Sequence, residues 1–367
     1  MIAHIFSRLE PGGAEIRTLD MIERMSGSAT FVFLLTGRPG GSLEERARGL
    51  GCQIVYVGSG VEFVQNLRRA VRRHGVTVLH AHSATASGWF VLNGWVLGVP
   101  RRIAHFRSDG DGRSSNPRRI LQRWLLRGLI RVFATDIVAV SPSALTFATS
   151  GLPGRPGQVV PSGLSVRPLL PAEERLALRG DLVGSDQVCV IHIGRDRPEK
   201  NRPRAVRVLA ATRRSGVDAK LVIVGRLGQD EAMDLEAMAA GEGVLDHVLL
   251  LGERGDVQEL LSVADVCLVT SLREGLPGSV LEACAMGTPC LASALPGVRW
   301  VAQTFASVHL AELEWADEVW AELIREMSNH KVTDDERAAS RARFETSAFG
   351  MATAEREYAK LWGVDAV

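Results

Sequence analysis

The chain predicts two doubly wound α/β domains facing each other across a cleft, and three observations carry that prediction. At 367 residues it is about twice the ~100–200 residues of a typical domain. Short runs rich in Val, Ile and Leu recur with helix-length segments between them, the pattern of parallel strands covered on both faces. The pattern also restarts once, after a proline-rich stretch.

In the first half the strand-like runs are "IAHIFSRL" (2–9), "TFVFLLTG" (30–37), "QIVYVG" (53–58), "TVLHAHS" (77–83), "RRIAHFRS" (101–108) and "DIVAVSP" (136–142). "VVPSGLSVRPLLP" (159–171) reads as a linker. The second half brings "VCVIHIGRD" (188–196), "KLVIVGR" (220–226), "HVLLLG" (247–252), "DVCLVTS" (265–271) and "PCLAS" (289–293). A helix over 116–133 starts from Asn116 as N-cap with Pro117 at N1, where a proline lacking N–H costs nothing. A second runs from about Ser279 to Met286, with Gly287 as its stop. The expected boundaries are a first domain over 1–165, a second over 166–345 and a final segment, 346–367, whose helix-like part is "GMATAEREYAKLW" (350–362).

Composition narrows the function classes. A hydrophobic fraction of 46% with 23% charged residues fits a globular protein, and no apolar run reaches the ~18 residues needed to span a bilayer. No leader of the secretory type is visible at the start. The five cysteines lack C-x-x-C spacing and sit mostly in apolar runs, which points to reduced core residues and a cytoplasmic location. The net charge of +1 conceals an asymmetry. Residues 1–165 hold 20 arginines, no lysine and 10 acids, whereas the remainder holds 23 basic and 32 acidic residues. A basic half suggests an anionic partner or membrane surface, although a solvated face is the commoner reason for charge. Nothing points to nucleic acid.

In open α/β sheets ligands bind beyond the carboxyl ends of the strands, so the residues there are the candidates. In "LEPGGAE" the strand breaks at Pro11-Gly12-Gly13 before a helix begins near Ala14. Glycines and a helix N-terminus suit a phosphate, and a plain tight turn is the alternative. "HIGRDRPEKN" delivers Arg195 and Lys200, the first lysine in the chain, on one loop; a guanidinium fork beside a compact ammonium fits a diphosphate, and a surface ion pair fits equally well. "REGLPGSVLEACAMGTP" (273–289) sets Glu274 at a strand's end, a turn through Gly275, Leu276 and Pro277, and Glu282 in the first turn or so of a helix. Asp109-x-Asp111 has the spacing of a metal-binding pair, but aspartates and glycines gather in turns by default, and no metal is expected.

Together "PGGAE", "GRDRPEKN" and "EGLPGSVLEACAMGTPCLAS", with Glu274 and Glu282 in E-x7-E spacing, resemble the family-4 retaining glycosyltransferases of the GT-B fold, most closely the exopolysaccharide branch. The resemblance spans nearly the whole chain. It implies two Rossmann-like domains, an acceptor-binding one and a nucleotide-sugar-binding one, with the final helix crossing back to the first. It implies retaining, metal-independent transfer from a nucleotide-diphosphate sugar, a UDP-sugar in preference to a GDP-sugar, to an acceptor hydroxyl, with no further cofactor. Gly13 then approaches the donor phosphate, Arg195 and Lys200 clamp the diphosphate, and Glu274 contacts sugar hydroxyls. Glu282 binds the ribose, the amides of Gly275, Leu276 and Pro277 seat the sugar, and His105 lies near the reaction centre.

The chain departs from the family pattern at Ser162-Gly163-Leu164-Ser165, at Gly225-Arg226-Leu227-Gly228 and at Pro296-Gly297-Val298-Arg299-Trp300, which puts base and sugar preference in question. On the acceptor side, Arg119, Arg123, Arg127 and Arg131 recur every fourth residue along 116–133. With "RRAVRRH" (68–74) they suit an anionic or lipid-linked acceptor, and peripheral contact with the inner membrane face. Four other readings stay open: a sugar-nucleotide epimerase, a phosphorylase, a nicotinamide-dependent oxidoreductase, for which the G-x-G-x-x-G fingerprint is lacking, and a catalytically inactive partner subunit.

Overall fold

A computed structural model describes residues 1–110, 116–150, 156–184 and 186–365. The chain divides into two compact units, Met1–Leu164 with Met351–Val367, and Ser165–Gly350.

The first unit is built on a parallel sheet of β1 (Ile2–Phe6), β2 (Phe31–Leu35), β3 (Gln53–Tyr56), β4 (Val78–Ala81), β5 (Arg101–Phe106), β6 (Asp136–Ala139) and β7 (Gln158–Val159), in the order β3-β2-β1-β4-β5-β6-β7. Its strands are apolar on both sides because both faces are covered. Ile2, Phe6, Phe31, Phe33 and Leu35 enter one core, and the alternate residues Ala3, Ile5, Val32 and Leu34 enter the other. The first core is closed by the C-terminal helix Met351–Trp362, which contributes Tyr358, Leu361 and Trp362. Gly163 lies against that helix so closely that a Cβ there would stand 2.6 Å from Ala354 Cβ.

The second unit holds β8 (Val188–Ile193), β9 (Ala219–Val224), β10 (Val248–Gly252), β11 (Val266–Val269), β12 (Cys290–Ser293) and β13 (Val308–Ala311), all parallel, in the order β10-β9-β8-β11-β12-β13. The order reverses between β8 and β11, and in the first sheet between β1 and β4. Adjacent chain crossings leave in opposite directions there, so a crevice opens at the carboxyl ends.

Two strands escape the sequence reading. β7 is two residues long and falls where the linker was expected; β13, "VHLA", is short, with one exposed and one half-buried residue between buried ends. The five cysteines are all buried and unpaired, and burial raises the Cys52 thiol to about 11 and the Cys189 thiol to about 12.

Candidate functional site

The reversal between β8 and β11 brings two loops together. After β8 the chain passes Gly194, makes a turn of 3-10 helix at Pro198–Lys200 and enters the helix Arg202–Arg214 through Asn201, whose φ of 50° is left-handed. This loop is tied down by backbone acceptors. The Lys200 carbonyl accepts from His192 Nε2 at 3.2 Å and from Thr270 Oγ1 at 3.2 Å, and the Asn201 carbonyl accepts from Thr270 Oγ1 at 2.9 Å. Leu272 N donates to the Glu199 carbonyl at 2.7 Å. Burial, with Arg202 and Lys200 close by, holds the His192 imidazole down at about 3, so it is neutral.

Across the two loops Lys200 Nζ lies 2.6 Å from Glu274 Oε1, which also accepts from Ser271 Oγ at 2.8 Å. The expected clamp residue and the expected sugar-binding acid therefore meet directly. Arg195 is exposed on the same loop. Glu282 is half-buried on the helix Gly278–Met286, whose C-cap Gly287 is left-handed at φ 68°. That helix starts at Gly278 and has no acid in its first turn, so Glu282 stands in the second turn, one turn later than its spacing suggested.

The turn Gly275–Pro277 is braced from behind. A Cβ at Gly297 would sit 2.3 Å from the Gly275 carbonyl oxygen, so the helix Pro296–Ala302 packs backbone against backbone on the turn. Gly225, at φ +129°, would place a Cβ 1.8 Å from Gly194 O. At the same point the buried Arg202 donates to Gly194 O at 2.5 Å and pairs with Glu231 at 2.8 Å. Sequence reasoning missed Arg202, Thr270 and Ser271. Arg202 was legible only as one more arginine after the motif.

In the first unit the N-terminus of the helix Gly13–Arg24 is exposed at Gly13. His105 lies inside β5, fully buried, one residue short of the strand's end. It belongs to a layer of four histidines, and hydrogen bonding fixes every tautomer. Trp362 Nε1 can only donate, and it donates to His80 Nδ1 at 3.1 Å; His80 Nε2 then donates to His105 Nδ1 at 3.0 Å. In parallel, Arg107 Nε donates to His82 Nδ1 at 3.2 Å, and His82 Nε2 donates to His4 Nδ1 at 2.9 Å. Each relay ends on a buried N–H, His105 Nε2 and His4 Nε2, with no acceptor among the described residues. Burial, with Arg107 beside them, keeps all four rings neutral, His4 down at about 3 and His80, His82 and His105 far below the usual imidazole range.

His4, His80 and His82 have ligand atoms within 4.8 Å of one another. Every Nδ1 in that trio accepts a hydrogen bond in this network, so a metal there would have to displace the Trp362 and Arg107 donors. Asp109 is described, whereas Asp111 lies outside the described residues. The side chain that reaches the sheet's carboxyl edge after β5 is Arg107 rather than His105. Its guanidinium also donates to Ser162 Oγ at 3.0 Å and to Thr18 Oγ1 at 3.1 Å.

The sequence model described as "Glycosyltransferase Family 4" matches residues 11–167, and that described as "Glycosyl transferases group 1" matches residues 179–345. The chain belongs to the family-4 glycosyltransferases. It is 29% identical over 307 residues to the glycosyltransferase EpsF of Bacillus subtilis, covering 80% of this chain and 78% of EpsF. It is 24% identical over 340 residues to the capsular polysaccharide biosynthesis glycosyltransferase CapH of Staphylococcus aureus, covering 90% and 91%. Among solved structures, HepE of Anabaena in complex with UDP superposes with a TM-score of 0.82 at 17% identity over 99% of each chain, so the fold is GT-B.

Proposed function

We propose that this glycosyltransferase moves a sugar from a nucleotide-diphosphate sugar, a UDP-sugar in preference to a GDP-sugar, to an acceptor hydroxyl with retention of configuration and without a metal, in the assembly of a polysaccharide, glycolipid or glycosylated natural product. The observation that carries the reading is the Lys200–Glu274 contact at a topological switch point. A cation and an acid that hold each other 2.6 Å apart are preorganised: the ammonium is presented to a diphosphate while the carboxylate accepts from sugar hydroxyls. Leaving-group charge gathers on the diphosphate in the transition state, and Lys200, Arg195 and the amides of Gly275–Pro277 supply fixed positive potential there. Glu282, on the next helix, takes the ribose, and Gly13, at the N-terminus of its own helix, takes a phosphate. His105 acts from behind, as packing for the layer that carries Arg107. The solved relative HepE was crystallised with UDP and with UDP-glucose, which favours a uridine donor. The arginine-rich residues 1–165 favour an anionic or lipid-linked acceptor at the cytoplasmic face of a membrane.

The test begins with thermal shifts against UDP, GDP and a panel of their sugars, since a ligand at ~100 times its Kd stabilises by about 2.7 kcal/mol. Transfer from the best donor is then followed by product NMR to read the anomeric configuration. Glu274→Ala is expected to lose transfer by ~100-fold or more while melting like the parent. Undiminished transfer by that variant would remove Glu274 from the site, and an inverted product would remove retention.

A further inference from the structure

The helix Pro117–Phe133 carries a second apolar face that the fold does not use. Among its residues Ile130 is fully buried, and its backbone at Leu126 is seated on Gly88, where a Cβ would meet Leu126 O at 2.2 Å. At ~100° per residue Ile120, Leu121, Trp124, Leu125 and Val132 fall within an arc of about 140°, centred roughly opposite Ile130. All five are more than half exposed, Trp124 by 70% and Val132 by 67%. Trp95, tilted against Phe133 with ring centroids 4.9 Å apart, and Val96 are exposed beside the C-terminal end of the helix. A helix that only covered a sheet would be polar on this side.

The charge around the stripe is of one sign. At ~100° per residue Arg118 lies just beyond the Leu125 edge of the arc, whereas Arg131 lies within it near the other edge, between Ile120 and Trp124, where its long side chain can reach headgroups; both are exposed. No acidic residue occurs between Asp111 and Asp136. Arg127 is not part of this face: it donates to the Phe147 carbonyl at 2.9 Å and lies over the Phe147 ring. Among the described residues no helix is long and apolar enough to cross a membrane, and this one, about 25 Å long, has the composition of a helix that lies in the headgroup layer, with Trp and Leu facing the acyl chains and arginine facing phosphates.

We propose that Pro117–Phe133 is a docking surface for an anionic lipid bilayer, with Trp124, Leu121 and Leu125 inserted and Arg118 and Arg131 on the headgroups. This deepens the membrane-surface part of the reading above and rests on it for location alone. Its readout is lipid binding, separate from sugar transfer.

The full chain is sedimented with vesicles of phosphatidylcholine alone and of phosphatidylcholine with phosphatidylglycerol, at low and physiological salt. Binding is expected only with the anionic mixture and weaker at the higher salt. Trp124→Glu with Leu121→Glu should lower bound protein at least ~10-fold, and Arg118→Glu with Arg131→Glu by a similar factor, with melting temperatures unchanged because the side chains are exposed. Trp124→Phe should retain most binding. Equal sedimentation with both vesicle types, or variants that bind like the parent, overturns the proposal. So does light scattering that shows a dimer which Trp124→Glu dissociates with no loss of vesicle binding. Sugar transfer to a soluble acceptor that persists in the Trp124→Glu chain leaves the enzymatic reading standing whatever the vesicles show.

Discussion

Glu274 illustrates how a residue type acquires a role only from its neighbours. Its carboxylate is met by Lys200 and by Ser271 from its own strand end, and the turn that follows is held by a residue with no side chain at all. Gly297 tolerates nothing larger, since a Cβ would stand 2.3 Å from the Gly275 carbonyl. Gly297→Ala should therefore push the Gly275–Pro277 turn out of place. The expected outcome is a several-fold rise in KM for the donor, with kcat less affected and the fold intact, because the shift falls on the amides proposed to seat the donor. Unchanged KM would mean that the turn does not touch the donor. Glu274, Lys200 and Arg195 were legible in the sequence because their motif is local. Thr270 and Ser271 were not, because hydroxyls at a strand's end are common; the approach of β8 to β11 gives Thr270 the Lys200 and Asn201 carbonyls, and the turn after β11 folds Glu274 back onto Ser271.

Elements show the same division. The helix Pro117–Phe133 was legible from end to end, with Asn116 Oδ1 accepting from Arg118 N at 3.0 Å as its cap and Pro117 at N1. Its apolar residues were expected on neighbouring faces; which of those faces is covered follows from the contact with Gly88. For the C-terminal helix the residues themselves carry no address, and only the resemblance points it back to the first domain, the unit in which the structure places it. The structure buries Trp362 against Phe31 and ties its indole N–H to His80. Trp362→Ala is expected to destabilise the first unit by about 3–5 kcal/mol, since it opens a cavity and also leaves His80 Nδ1 without its donor. Chemical denaturation followed by circular dichroism should show an earlier transition; a midpoint within error of the parent would mean that the helix is not part of that unit's cooperative core.

For the whole molecule the neutral histidines His4, His80, His82 and His105 of the first unit, with His192 of the second, set a pH dependence. Their native affinities for protons lie well below the unfolded value near 6.5, with His4 at about 3. Below about pH 6.5 the unfolded chain binds protons that the native chain refuses. Their contribution is thus complete above pH 6.5 and is withdrawn as pH falls toward the native values, by up to about 1.4 kcal/mol per unit for each ring. Melting temperature should fall steeply from about pH 7 to about pH 5, and His4→Gln should flatten that slope. A flat profile for the parent would mean that the layer is already protonated or open to water.

By itself the sequence determined the class of fold, the family and which acids and cations stand on the loops after β8 and β11, because strand periodicity, glycine turns and the E-x7-E block are written in consecutive residues. It did not determine that His105 is sealed in a layer of imidazoles, that Arg107 reaches the sheet's edge in its stead, or that an apolar stripe of Pro117–Phe133 is left facing outward. Those outcomes depend on which strand lies beside which and on what covers each face. Residues far apart in the chain decide that, as His4, His80, Arg107 and Trp362 do by converging on one buried layer.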